Sequence, residues 1–231
     1  MRKIAFVYVL CLHVVIVLML KYTDLISQVF SVSESQSNEL TRHYETMTAF
    51  HSRVDNNLPE GSVIFIGDSH VQGLAVAAVT DKAVNYGIGN DTTVGVLRRV
   101  KEYHSLSKSS AVVLEIGFND LRFRSNTEIL THYNQILTQL PDSIGVVLCA
   151  VHPVGQSKHD LFNHRIHELN GELRDLSQQF DHVTFLDVFE DKLAPGGFMP
   201  ADYQLADAIH LSKKGNEIWI SALRKSLENI R

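Results

Sequence analysis

The chain of 231 residues is 45% apolar and 20% charged, which suits one globular domain and excludes disordered, collagen-like and disulfide-scaffold classes. A domain of this size buries roughly 70% of the surface its unfolded chain exposes and needs no disulfide or metal to fold. Setting aside Arg2, Lys3 and Lys21 leaves 18 basic against 26 acidic residues, a net of −8, which argues against a nucleic-acid partner.

Residues 4 to 20, IAFVYVLCLHVVIVLML, carry no formal charge and lie between Arg2 and Lys3 on one side and Lys21 on the other. As a helix this run extends about 25 Å, enough to cross a bilayer core of roughly 30 Å with local thinning or snorkelling flanks. A buried helix of a soluble domain would show a polar face, which this run lacks, and a cleaved signal peptide would end in a small-x-small site such as A-x-A, which does not follow it. The expectation is a signal anchor, a transmembrane helix over residues 1 to 21, with an exported periplasmic or extracellular domain behind it; cleavage would make the protein secreted. His13, inside the run, is assigned no role. Cys11 lies in the same run and Cys149 in a later apolar one, so no disulfide within the chain is expected. Residues 22 to 59 read as a spacer, serine-rich at 31 to 38, followed by a lead-in helix near residues 39 to 56. The domain proper spans 60 to 231.

From there, β-branched runs at residues 62 to 67, 83 to 87, 111 to 117, 144 to 151 and 182 to 188 alternate with helical periodicity. That periodicity runs through Val94, Leu97 and Val100, then Ile129, Tyr133, Ile136 and Leu140, then Ile166, Leu169, Leu173 and Leu176. Five alternations predict a five-stranded parallel sheet between helical layers, with right-handed crossovers. The ligand site of such a sheet lies beyond the carboxyl ends of its strands. Those exits hold Gly67 to His70, Gly87 to Thr93, Gly117 to Asp120, and His152 with Pro153.

GDSH sets Ser69 at a strand-to-helix turn, although Asp and Ser are equally common as helix caps. Val71 stands where a G-x-S-x-G elbow would have its second glycine. Near the carboxyl end, DAIH places Asp207 three residues before His210, ahead of a final helix starting near Lys213. A serine alcohol needs a base for its proton, and an imidazole base needs a carboxylate to fix its tautomer; one loop can supply both, or simply cap that helix. Acyl transfer also needs donors for an oxyanion. Asn119 and the backbone N–H groups of residues 85 to 93 are available, with Asx-turn and tight-turn roles as the alternatives.

Four blocks in order, GDS at 67 to 69, NYGIGNDTT at 85 to 93, GFND at 117 to 120 and DAIH at 207 to 210, make residues 60 to 229 resemble the SGNH, or GDSL, hydrolase superfamily of esterases and lipases. The resemblance implies a three-layer α/β/α, flavodoxin-like fold and no cofactor. It further implies Ser69 as nucleophile, His210 as general base and then acid, and Asp207 as its orienting partner. The implied oxyanion hole takes the Ser69 N–H, a backbone N–H of the second block and the Asn119 amide. Two positions depart from the family pattern. His70 replaces a leucine, and Asn90 replaces the glycine before the Asp-Thr pair, so the donor is expected at Asn90, which tolerates left-handed backbone, or at Gly89.

His152, Phe118, Phe123, Met199 and Tyr203 fall in rim loops and are expected either to line a substrate pocket or to pack the loops. His159, His164 and His167 lack H-E-x-x-H or a carboxylate at ligand spacing, so no metal is assigned, and G-I-G-N-D-T lacks the third glycine of a dinucleotide fingerprint. The function expected is a serine esterase acting on short acyl esters of envelope glycans or lipids. An O-acyltransferase using the same residues, or a non-catalytic glycan-binding or assembly protein on this fold, are the alternatives.

Overall fold

Runs such as VIFIG and AVVLE combine β-branched residues with no polar alternation, the pattern of strands covered on both faces. In the computed structural model, which describes residues 40–230 and His13, they form β1 (Val63–Gly67), β2 (Ala83–Gly87), β3 (Ala111–Glu115), β4 (Gly145–Cys149) and β5 (Val183–Leu186). All pair in parallel in the order β2-β1-β3-β4-β5. This is the flavodoxin-like order, whose direction of winding reverses between β1 and β3, opening a crevice at their carboxyl ends. The five strands and their order along the chain match the expectation. The observed strands stop short of Ile116 and Ala150, because the chain turns into the rim there.

The sheet alternates strictly between its faces. Ile64, Ile66, Val112, Leu114, Val146 and Leu148 point to one side, where they meet α3 (Thr93–Arg99), α4 (Asn126–Gln139) and α5 (His159–Ser177) through Val96, Ile129, Tyr133, Ile136, Leu169 and Leu173. Val63, Phe65, Val113 and Val147 point to the other, covered by Trp219, Leu223 and Leu227 of α6 (Lys213–Asn229). Each such side chain, fully buried, stabilises the fold by about 1.5 to 3 kcal/mol. Helix starts follow capping chemistry: Ser125 and Glu128 form a reciprocal capping box on α4, and the Ser212 hydroxyl accepts from Gly215 N–H on α6.

The helix expected near residues 39 to 56 is α1 (Arg42–Asp55), and it belongs to the same compact unit as the sheet. It buries Tyr44, His51 and Asp55, whose Oδ2 accepts the backbone N–H of His104 at 2.7 Å. The expected anchor over residues 1 to 21 lies outside the described residues, apart from His13. Among the described residues, no helix is long and apolar enough to cross a membrane.

Candidate active site

At the end of β1 the chain turns at Gly67 and Asp68 into the four-residue helix α2 (Ser69–Gln72). Asp68 caps it, its Oδ1 accepting the N–H of His70 at 2.9 Å. Asn85 of β2 closes the other end, donating to the carbonyls of Val71 at 2.6 Å and Leu74 at 3.1 Å. The helix lies so close to the end of β2 that a Cβ on Gly87 would collide with the backbone N of Gln72. Glycine is therefore required there, and Ser69 is left half-buried on the rim of the β1–β3 crevice.

The loop before α6 brings His210 to it. Asp207 Oδ1 accepts the backbone N–H groups of Ile209 at 2.9 Å and His210 at 3.0 Å, an Asx turn that carries Ala208 at φ 61. Asp207 Oδ2 lies 2.6 Å from His210 Nδ1, and His210 Nε2 lies 2.8 Å from Ser69 Oγ. Since the carboxylate accepts only, Nδ1 carries the ring proton and Nε2 presents its lone pair to the serine hydroxyl. Burial opposes the Asp207 charge, but the His210 ring and the two backbone N–H groups outweigh it and hold the carboxyl down at about 2. Such an array can withdraw the serine proton as the oxygen attacks an electrophile.

The second and third blocks meet beside it. Asn119 begins a short 3₁₀ turn after β3 and donates one amide hydrogen to the carbonyl of Asp91 at 3.0 Å, which leaves the other hydrogen of the amide. Asn90 adopts φ 63, the left-handed backbone that asparagine was expected to tolerate. The alternative donor Gly89 is already engaged, its N–H bonded to Gln72 Oε1 at 2.7 Å. Two features the sequence analysis missed hold these blocks together. Asp120 accepts from Thr93 N–H at 2.9 Å and Thr93 Oγ1 at 2.5 Å, and Arg99 reaches Asp91, Tyr86 and Gly67. The D-T-T and N-D runs carried a signal for the first; one arginine of the Arg98–Arg99 pair on a helix carried none for the second.

Of the two roles expected for the rim-loop residues, packing describes His152, Phe118 and Met199. His152 and Phe118 are buried, His152 edge-on to Trp219 and Phe189 at centroid distances of 4.6 and 5.1 Å and Phe118 against Phe162 at 5.2 Å. Met199 is wholly buried. Their apolar surface caps the open ends of the strands, which gains more than lining a wet rim. Tyr203 is half-buried, its ring against Phe189 and under the Lys214 ammonium. Phe123 does expose a large face, 41% of its surface.

His159, His164 and His167 line a cavity of about 610 Å³ along α5, with Asp187 and Glu190 also in its wall. Their polar contacts are local: His159 Nδ1 with Asn163 at 3.0 Å and His164 Nδ1 with Glu168 at 3.5 Å. Among the described residues, Asp68, His70 and Glu115 are the group of three whose ligand-type atoms lie within 4.8 Å of one another. All three are buried directly behind Ser69.

The sequence pattern of the GDSL-like lipase/acylhydrolase family matches residues 65–218. No curated protein sequence matches the chain. Among solved structures, one described as a platelet activating factor from Streptococcus pneumonia superposes with a TM-score of 0.76 at 22% identity, covering 85% of this chain and 98% of its own. A GDSL-like lipase from Bacteroides thetaiotaomicron gives 0.68 at 15% identity, covering 80% of this chain and 98% of its own. An acetyl-xylooligosaccharide esterase from Geobacillus gives 0.58 at 18% identity, covering 73% and 95%. At these identities the superpositions establish the fold.

Proposed function

Because the chain belongs to the GDSL-like lipase/acylhydrolase family, we propose that it is a serine esterase that cleaves short acyl esters, such as O-acetyl groups, from envelope glycans or lipids. The observation that carries this reading is the unbroken chain Asp207 to His210 to Ser69, at 2.6 and 2.8 Å. In the first half-reaction Ser69 Oγ attacks the ester carbonyl while its proton passes to His210 Nε2. The oxyanion takes hydrogen bonds from the N–H groups of Ser69 and Asn90 and from the remaining amide hydrogen of Asn119. Collapse expels the alcohol, which takes the proton from His210, and leaves an acyl-enzyme. Water then gives a proton to His210 and its oxygen to the acyl carbon, and the acid leaves as Ser69 recovers its proton.

The choice of acyl group is supported by the likeness to the acetyl-xylooligosaccharide esterase and by a site that is open rather than tunnelled, with 38% of the His210 and 45% of the Asp207 side chain exposed. An exported location is supported by the charge-free run at 4 to 20 behind Arg2 and Lys3. The test is hydrolysis of p-nitrophenyl acetate, butyrate and octanoate, and acetate release from acetylated oligosaccharides, by the full-length protein beside Ser69→Ala. Turnover that falls with chain length and vanishes in the variant is expected. Turnover equal in both proteins would overturn the nucleophile. Transfer of acyl groups to an added sugar in preference to water would replace the hydrolase with an acyltransferase.

A further inference from the structure

Behind Ser69 lies a group of ionisable side chains that the proposed reaction does not use. Asp68 and Glu115 are wholly buried and His70 is 5% exposed. Asp68 Oδ2 and both carboxyl oxygens of Glu115 make no hydrogen bond. A bare carboxylate in a protein interior costs several kcal/mol, so the cluster must either hold protons or contain a cation.

His70 supplies that cation on geometric grounds. Its Nε2 lies 3.1 Å from the carbonyl oxygen of Ile209, which can only accept, so Nε2 carries a proton. Its Nδ1 lies 3.4 Å from Asp68 Oδ1. Nδ1 makes no hydrogen bond, so its contact with Asp68 is ionic: at this distance, in a medium of low dielectric, the carboxylate charge favours a proton on Nδ1. The other groups facing the ring are Glu115 at the end of β3, His152 beyond β4 at a centroid distance of 5.2 Å, and His210 at 5.3 Å. Burial and the nearby His70 charge hold His152 neutral, so it does not compete for the cationic role.

The position of the ring gives the charge a purpose. His70 follows the serine and Ile209 precedes the histidine that accepts the serine's proton. The hydrogen bond from His70 to Ile209 therefore ties the β1 turn to a loop 139 residues away in sequence. Resting on the esterase reading above, we propose that His70 is a positioning residue, a buried imidazolium neutralised by Asp68 beside Glu115, which locks the His210 loop at working distance from Ser69. Leucine, the family's usual residue here, could make neither contact. The electrostatics agree: burial alone would push His70 down, but Asp68, Glu115 and the Ile209 carbonyl outweigh it and hold the ring up at about 9. Burial and the Asp68 charge push Glu115 up from the usual carboxylate range against the opposing pull of His70.

The test uses the full-length protein with ring-nitrogen-labelled histidine, the His70 signals being identified by their loss in His70→Gln. Both ring nitrogens are expected to be protonated at neutral pH and to lose a proton near pH 9, and Glu115→Gln should move that titration downward. A neutral, single-tautomer ring at neutral pH overturns the proposal. In kinetics with p-nitrophenyl acetate, His70→Gln should lower kcat by about tenfold or more at unchanged KM, the signature of a misplaced catalytic pair. Wild-type kcat in this variant overturns the positioning role. If His70→Leu fails to fold, His70→Leu combined with Asp68→Asn should recover the fold, because the amide oxygen can still accept the backbone N–H of residue 70 and the carboxylate that His70 neutralised is gone. Stoichiometric metal in the purified protein that is lost in Glu115→Gln would also overturn the proposal, since the cluster would then bind a metal ion in place of a proton. An imidazolium spectrum in a wild-type protein that turns over no ester would remove the esterase reading and the positioning role with it. A neutral ring in an active enzyme removes only the latter.

Discussion

The Arg99 guanidinium holds the Asp91 carboxylate with Nε and Nη2 both at 3.0 Å, and neither side chain is exposed beyond 2%. The same guanidinium donates to the carbonyls of Tyr86 at 2.7 Å and Gly67 at 3.1 Å and to the Tyr103 hydroxyl at 2.8 Å. It thus gathers the exits of β1 and β2 around the residue whose own carbonyl receives Asn119. Removing one partner of a buried pair leaves the other charge unpaired, so Arg99→Leu should destabilise the fold by about 3 to 5 kcal/mol in urea denaturation. Arg99→Lys should recover little of this, because a single ammonium cannot satisfy a carboxylate and two carbonyls lying in different directions.

The contact between Asp207 and His210 predicts a loss of rate without a loss of fold. In Asp207→Asn the amide oxygen can still accept the N–H groups of Ile209 and His210, which preserves the turn. Its NH₂ group, however, would face Nδ1 and favour the tautomer with the proton on Nε2, directed at Ser69. A fall in kcat of about 10⁴, with Tm and KM near wild type, is expected. Asn119→Ala, which removes the proposed oxyanion donor, should lower kcat by about 10² to 10³. Both are read from ester hydrolysis against Ser69→Ala.

The parallel sheet was legible because doubly covered strands read as unbroken runs such as VIFIG and VVLCAV, and their alternation with helical periodicity admits few topologies. The meeting of Ser69 with His210 was legible because each residue type belongs to a block of recognisable spacing. What stayed hidden arises from tertiary neighbours alone. Glu115 reads as one polar residue at the end of an apolar strand, and His70 as a substitution after the serine; only β1–β3 pairing, which sets Gly67 beside Glu115, brings them together. Loop position alone puts His152, Phe118 and Met199 at the rim, but it does not reveal which way a side chain turns.

His51 predicts an acid-side loss of stability. Its Nδ1 lies 3.0 Å from the Tyr103 hydroxyl, which accepts from Arg99 and so donates its own proton to the ring. Protonating Nδ1 would break that bond inside the core and near the Arg99 cation. Burial, with Arg99 second, lowers the His51 pKa to about 3. Because the folded value lies below the ordinary 6.5, this contribution is fully present above pH 6.5 and drains away as pH falls towards 3. Thermal melts should show Tm dropping across that window. The drop should be shallower in His51→Gln, whose amide oxygen can accept from Tyr103 without titrating.

Asn90 predicts a separation of backbone from side chain. At φ 63 a residue with a Cβ pays a steric cost of about 1 to 2 kcal/mol, which asparagine partly recovers and glycine avoids. Asn90→Ala should therefore destabilise the protein by about 1 kcal/mol, and Asn90→Gly should not. Both variants keep the N–H proposed to face the oxyanion, so Asn90→Gly should retain kcat within about twofold. The nearby alternative is already engaged by Gln72, which makes Gln72→Ala informative: freeing the Gly89 N–H should leave the rate no higher than wild type if residue 90 is the donor. A loss of tenfold or more in Asn90→Gly at unchanged Tm would instead assign the contact to the asparagine amide, because the backbone donor survives that substitution intact.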